Sequence, residues 1–219
     1  MPRLLFEKSK NAIWISHLDL MRLFQRSFKR AGLPLKHTQG FNPRPSVSIA
    51  LPLSVGVESR CELLDFDLDG DVVSCEDILT RLNSALIDGI KVHSVYDGGR
   101  KIRDLALLRC LITLEYDRGV PDSAYNDIEC LFKQKSLIVQ KKTKSGLQDQ
   151  DIIPMIRSVE VKQAGENKLQ LHALICCQNP TLNPMQLSAA ISHYLPAVKP
   201  DFCKYCRLEI YDNSEKVFR

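Results

Sequence analysis

Apolar and polar positions along this chain predict two successive runs of strand, helix, strand, strand, helix and strand. The opening stretch LLFEKSKNAIWIS places Leu4, Phe6, Ile13 and Ile15 around a polar break, which suits a strand with a bulge or bend. Ser16, three residues before Asp19, reads as a helix N-cap. Leu20, Leu23, Phe24, Ser27, Phe28 and Ala31 then recur at helical spacing, until Gly32 and Pro34 stop the helix. SVSIALPLSVGV alternates through Val47, Ile49 and Leu51. ELLDFDLDGD sets Leu64, Phe66 and Leu68 against Asp65, Asp67 and Asp69, as in an antiparallel sheet with one solvated face. Ser74 and Asp77 open a second helix through Ile78, Leu79, Leu82, Ala85 and Leu86; Gly89 ends it and IKVHSVY closes the run.

The second half follows the same order. RCLITLEYD is a strand, DSAYNDIECLFKQ a helix, and LIVQKKTK a strand before a polar, lysine-bearing loop. IRSVEVKQ and KLQLHALICC read as a hairpin about AGEN; NPMQLSAAISHYL is a helix and YCRLEIYD a last strand. YDGGRKIRD, near 96–104, is the boundary. The pattern predicts an α+β protein of two tandem ferredoxin-like (βαββαβ) domains with antiparallel sheets, over 1–98 and 105–219.

Composition excludes several classes. Among 219 residues, 44% are hydrophobic and 26% charged, enough apolar surface to fold without disorder. No apolar run approaches the roughly 20 residues of a membrane span, and MPRLLFEKSK has no signal-peptide core, so a cytoplasmic protein without membrane contact is expected. The eight cysteines, without a secretory signal, are expected to be reduced and mostly in the core.

Charge changes the picture more. The total is only +4, but residues 1–44 carry nine Lys and Arg against Glu7 and Asp19, while 45–90 carry Arg60 and Arg81 against nine acids. On the first helix Arg22, Arg26, Lys29 and Arg30 share the face opposite the apolar stripe. Such a row can neutralise successive phosphates; the plain alternative is a solvated amphipathic face. Directly after it, KHTQGFNPRPSVSIALPLSVG follows a path constrained by Gly40, Pro43, Pro45 and Pro52. There Lys36, Gln39, Phe41, Asn42 and Arg44 offer an aromatic, amides and cations suited to stacking on a base and gripping its phosphate. The alternative is a crossover whose prolines only set loop shape. Lys133, Lys135, Lys141, Lys142 and Lys144 form a second basic cluster, or a solvated one.

Catalytic signals are sparse. His17 and His37 are the candidate general acid/base groups for RNA cleavage, with no serine or tyrosine at diagnostic spacing beside them. His93, His172 and His193 fall in regular elements. Cys203 and Cys206 form one CxxC without the second pair of a zinc site, so no metal and no cofactor is expected in this chain.

The runs SHLDLMRLFQRSFKRAGLPL and HTQGFNPRPSVSIALPLSVGVES resemble the radical SAM-linked family, a bacterial domain of unknown function. The likeness is specific over 3–95 and thinner, though consistent in element order, over 105–215. His17, Asp19, Gly40, Phe41, Asn42, Pro43 and Pro45 correspond to its hallmark motifs, here candidate binding-surface positions. The resemblance implies a separate radical SAM/cobalamin-type protein as partner, since no such domain is fused here. More remotely, a basic first helix in tandem ferredoxin-like units is similar to the CRISPR repeat-processing endoribonucleases, whose glycine-rich C-terminal loop is missing here. Three expectations follow: a non-catalytic module presenting tRNA or rRNA to the radical SAM partner, a metal-independent endoribonuclease using His17 or His37, or a protein–protein adaptor without RNA contact.

Overall fold

The computed structural model describes residues 1–143 and 146–219. The chain is a mixed α+β protein with mainly antiparallel strands and, among the described residues, four α-helices. It divides into two compact units, Met1–Ile102 with Arg219, and Arg103–Phe218.

In the first unit β1 (Arg3–Lys8), α1 (His17–Arg30), β2 (Val47–Ile49), β3 (Val57–Phe66), α2 (Cys75–Ala85) and β4 (Ile90–Tyr96) follow in order. The strands lie as β4-β1-β3-β2, every neighbouring pair antiparallel. Both helices bury their apolar stripes against one face of the sheet: Leu20, Phe24 and Phe28 from α1, Ile78 and Leu82 from α2, against Leu4, Phe6, Leu64, Phe66, Ile90 and Val92. Two aromatic pairs fix the contact, Phe6 with Phe24 edge-on at 4.8 Å and Phe28 with Phe66 at 4.9 Å. Ser16 and Ser74 cap the two helices by accepting the backbone N–H of Asp19 and Asp77.

Three details depart from the pattern reading. The first strand stops at Lys8; Lys10 takes a positive φ of 51° and Lys10–Trp14 forms a 3-10 turn, so Ile13 and Ile15 are not strand residues. β3 begins at Val57 rather than Glu62 and ends before Leu68, which makes a single bridge to Leu35. The acidic face is also partly used: Asp65 takes a bidentate bond from the buried Arg3, and Asp67 accepts from Ser46 Oγ at 3.1 Å. Glu62 points to the same side as Leu64 and is buried, as is Lys8, whose ammonium donates to the Ile15 carbonyl at 2.7 Å. Burial pulls the Lys8 ammonium below the usual lysine range, with the Glu62 carboxylate opposing that shift.

The second unit contains β5 (Leu105–Glu115), α3 (Ala124–Phe132), β6 (Ile138–Thr143), β7 (Gly146–Asp151), β8 (Ile156–Gln163), β9 (Lys168–Cys176), α4 (Pro184–Tyr194) and β10 (Phe202–Asp212). Its strands run β10-β5-β9-β8, again antiparallel, while β6 and β7 pair with each other as a separate two-stranded sheet among the described residues. The LIVQKKTK strand therefore belongs to an inserted hairpin rather than to the main sheet. Its partner β7, GLQDQD, has no apolar alternation and reads as a loop. No disulfide forms among the described residues, and Cys61, Cys110, Cys176, Cys177 and Cys206 are buried. No helix among the described residues is long and apolar enough to cross a membrane.

Candidate nucleic-acid interface

Helix α1 turns its charged face outward because Leu20, Phe24, Ser27 and Phe28 anchor the opposite face in the core. Arg22, Arg26 and Lys29 are exposed along it. Arg22 shares its charge: its guanidinium donates to Asp19 Oδ1 at 3.0 Å. Ser16 Oγ also donates to that carboxylate, and the hydroxyl, followed by Arg22, holds Asp19 below the usual aspartate range. Arg26 and Lys29 form no salt bridge with any described residue.

Arg30 is placed differently. Its guanidinium donates to the Ala85 carbonyl at 2.6 Å and to Ser27 Oγ at 3.0 Å, so it caps the C-terminus of α2. Arg81 of α2 reciprocates by donating to the carbonyls of Ala31 and Gly32 at 2.8 and 2.7 Å. Each helix thus receives a cation at its carbonyl-rich end from the other, where the helix dipole favours it. Gly32 makes this turn possible, with φ at +65° directly after α1.

The proline-rich segment is a projecting hairpin with a fixed base. Thr38 N–H donates to the Arg44 carbonyl at 2.8 Å, Ser46 N–H to the Lys36 carbonyl at 2.7 Å, and Arg44 N–H to Thr38 Oγ1 at 3.0 Å. A bridge joins His37 to Pro45, and Lys36 N–H donates to the Asp67 carbonyl at 2.9 Å. The tip, Gln39 to Pro43, is exposed, and Phe41 is completely so at 108%. The braced stalk holds this aromatic ring clear of the core. Lys36 and Arg44 are exposed on the stalk and form no salt bridge with any described residue.

Two clefts flank the α1 ridge. One, of about 400 Å³, has an apolar floor of Ile15, Leu23 and Ile87 beneath Arg22, Arg26 and Arg30. The other, of about 470 Å³, lies between Gln25 and Lys29 of α1 and the segment carrying Leu35, His37 and Pro45. Neither cleft is foreshadowed by the sequence pattern, because Gln25 is one neutral residue on a charged face and Ile87 follows α2.

The two histidines are not brought together. His17 is the first residue of α1 and half-buried, whereas His37 lines the cleft beside Lys29, about 18 Å further along the helix axis. Cys203 and Cys206 lie three residues apart on β10, which puts their side chains on opposite faces of a strand. No group of three or more metal-ligating side chains is assembled among the described residues. In the second basic cluster Lys133 pairs with Glu129 at 3.0 Å and Lys141 donates to the Thr181 carbonyl at 3.4 Å; Lys135 is exposed. Lys142 is on β6, and Lys144 lies outside the described residues.

A family model described as an uncharacterized protein conserved in bacteria (DUF2344) matches residues 2–184. The chain belongs to that family. The match takes in α1, the projecting hairpin and both flanking clefts. No curated protein matches the chain. Among solved structures, it is similar to a chain from the crystal structure of a Cbf5-Nop10-Gar1 complex, with a TM-score of 0.50 at 10% identity over 95% of this chain. The family member spans about half of that chain, 48%, and the likeness is one of fold. An unknown protein from Galdieria sulphuraria aligns at 11% identity over 94% of this chain and 96% of its own, with a TM-score of 0.27. A putative glycine cleavage system transcriptional repressor aligns at 13% over the same shares, with a TM-score of 0.21.

Proposed function

We propose that this protein is a non-catalytic, cytoplasmic RNA-binding accessory that presents tRNA or rRNA to a radical SAM enzyme. The observation that supports this most is the juxtaposition of exposed, unbridged cations on α1 with a braced hairpin whose tip is a fully exposed phenylalanine. Arg26, Lys29, Lys36 and Arg44 grip phosphates, Arg22 adds field because its guanidinium is shared with Asp19, Phe41 stacks on a base, and Gln39 and Asn42 address base edges or ribose hydroxyls. Arg30 contributes field rather than a contact, since its donors already cap α2. The radical SAM partner comes from the family resemblance of the α1 and hairpin motifs. We read both units as ferredoxin-like, supported by the same strand order within each unit once the β6–β7 hairpin is set aside as an insertion.

The test is titration of the purified protein against labelled bulk tRNA and rRNA, reading binding and chain cleavage together. Salt-sensitive binding without cleavage, weakened in Arg22→Glu/Arg26→Glu, is expected. Binding unchanged by that double variant contradicts the site. Chelator-resistant cleavage lost in His17→Ala or His37→Ala assigns an endoribonuclease instead. Retention of a protein partner after nuclease treatment, with no RNA bound, assigns an adaptor.

A further inference from the structure

Beside the charged ridge lies a cleft whose lining differs from that of the Arg22–Arg26 cleft. Leu33, Leu35 and Pro45 form an apolar wall, and Gln25, Lys29 and His37 stand at its rim. Its volume of about 470 Å³ is within the range of small-ligand sites. No carboxylate lines it, in contrast to the Arg22–Arg26 cleft, where Asp19 intrudes.

The walls are held in place. Leu33 N–H donates to the Phe28 carbonyl at 2.9 Å, Leu35 bridges Leu68, and His37 bridges Pro45. Leu33 is fully buried, so that side of the cleft is continuous with the core. The rim groups, by contrast, are anchored on two different elements: Gln25 and Lys29 on α1, His37 at the hairpin base.

We infer that this cleft captures one unstacked nucleotide of a single-stranded RNA segment. The base lies against Pro45 and Leu35, the Gln25 amide offers a donor and an acceptor to its edge, the His37 ring offers another polar group, and Lys29 takes the phosphate. The complementarity is of polarity and charge together: an apolar wall, neutral hydrogen-bonding groups and a cation at the mouth, with no acid in the described lining. This site rests on the RNA-binding reading and deepens it, because it separates base capture from stacking on Phe41.

The probe is a short single-stranded oligoribonucleotide carrying one 2-aminopurine, whose fluorescence rises when it leaves the stack and sits among aliphatic groups. Wild-type protein is expected to bind it and brighten it. Gln25→Leu/His37→Ala, both changed at the rim rather than in the core, should lose the brightening and roughly tenfold in affinity while keeping the salt dependence. An oligonucleotide with an abasic site at that position should bind wild type about tenfold more weakly and the double variant no differently from the intact probe. Salt-sensitive binding without brightening, or brightening that survives the double variant, overturns the capture site and leaves the RNA-binding reading standing. No binding at low salt overturns both. Circular dichroism of the double variant, unchanged from wild type, separates loss of the site from loss of the fold.

Discussion

Removing the Phe41 ring isolates one part of the interface from all others. The side chain is 108% exposed and lies at the tip of a hairpin whose backbone bonds are made by Lys36, Thr38, Arg44 and Ser46. Phe41→Ala therefore removes no packing, and unfolding free energy should change by no more than about 0.5 kcal/mol. Stacking of a base on an aromatic side chain is worth about 1–3 kcal/mol, so RNA affinity should fall roughly 5- to 150-fold. The ring carries no charge, so the slope of log affinity against log salt should not move. Phe41→Trp, with a larger stacking face, should restore or exceed wild-type affinity. The assay is filter binding or anisotropy with a single-stranded RNA at three salt concentrations, alongside a urea melt. Affinity unchanged to within twofold, with a normal melt, refutes the role given to the ring.

The core and the caps carry predictions of their own. Phe28→Ala, which empties a fully buried site against Phe66, should cost about 3–5 kcal/mol in a denaturant melt. Arg81→Ala strips donors from the carbonyls of Ala31 and Gly32 and should cost about 2 kcal/mol, while leaving the exposed cations in place. The carboxyl of Asp19 is held below its unfolded value by Ser16 and Arg22, so its contribution is present above about pH 4 and is lost as pH falls through the folded value. Asp19→Asn should accordingly flatten the acid limb of a stability–pH profile. Thiol labelling should reach the exposed Cys130 first, whereas Cys110 and Cys177, pushed up to about 12 by burial, should react only on unfolding.

Much of the first unit is legible in the sequence because local and tertiary signals agree there. The Ser16 cap, the Leu20–Phe28 stripe and Gly32 all describe one helix, and the structure places each as its chemistry requires. The start of β3 is less visible. Val57, Ser59 and Cys61 alternate with Glu58 and Arg60, but buried Ser59 and Glu62 blur the pattern. β7 is invisible to periodicity because its side chains pack on no core. At the candidate interface the sequence spacing identifies which cations share a face of α1. It does not reveal that Arg30 is drawn to Ala85, a residue 55 positions away, nor that Arg3 and Lys8, counted among the basic residues of the chain's start, are buried. The clefts depend on where the hairpin base meets α1, a tertiary feature set by the Leu35 and His37 bridges.

The proposed RNA surface unites α1 and the hairpin. Arg26 and Lys29 on the helix and Lys36 and Arg44 on the hairpin are exposed and unbridged among the described residues. Four single-strand phosphate contacts at about 0.7 each give a salt slope of roughly −2.8, or about a 50-fold loss of affinity between 50 and 200 mM salt. Arg26→Gln/Arg44→Gln takes one contact from each element, so the slope should fall to roughly −1.4 and the loss to about sevenfold. Measuring that slope for wild type and the double variant is the most direct test. A halved slope places both elements on the same RNA, and an unchanged slope contradicts the claim.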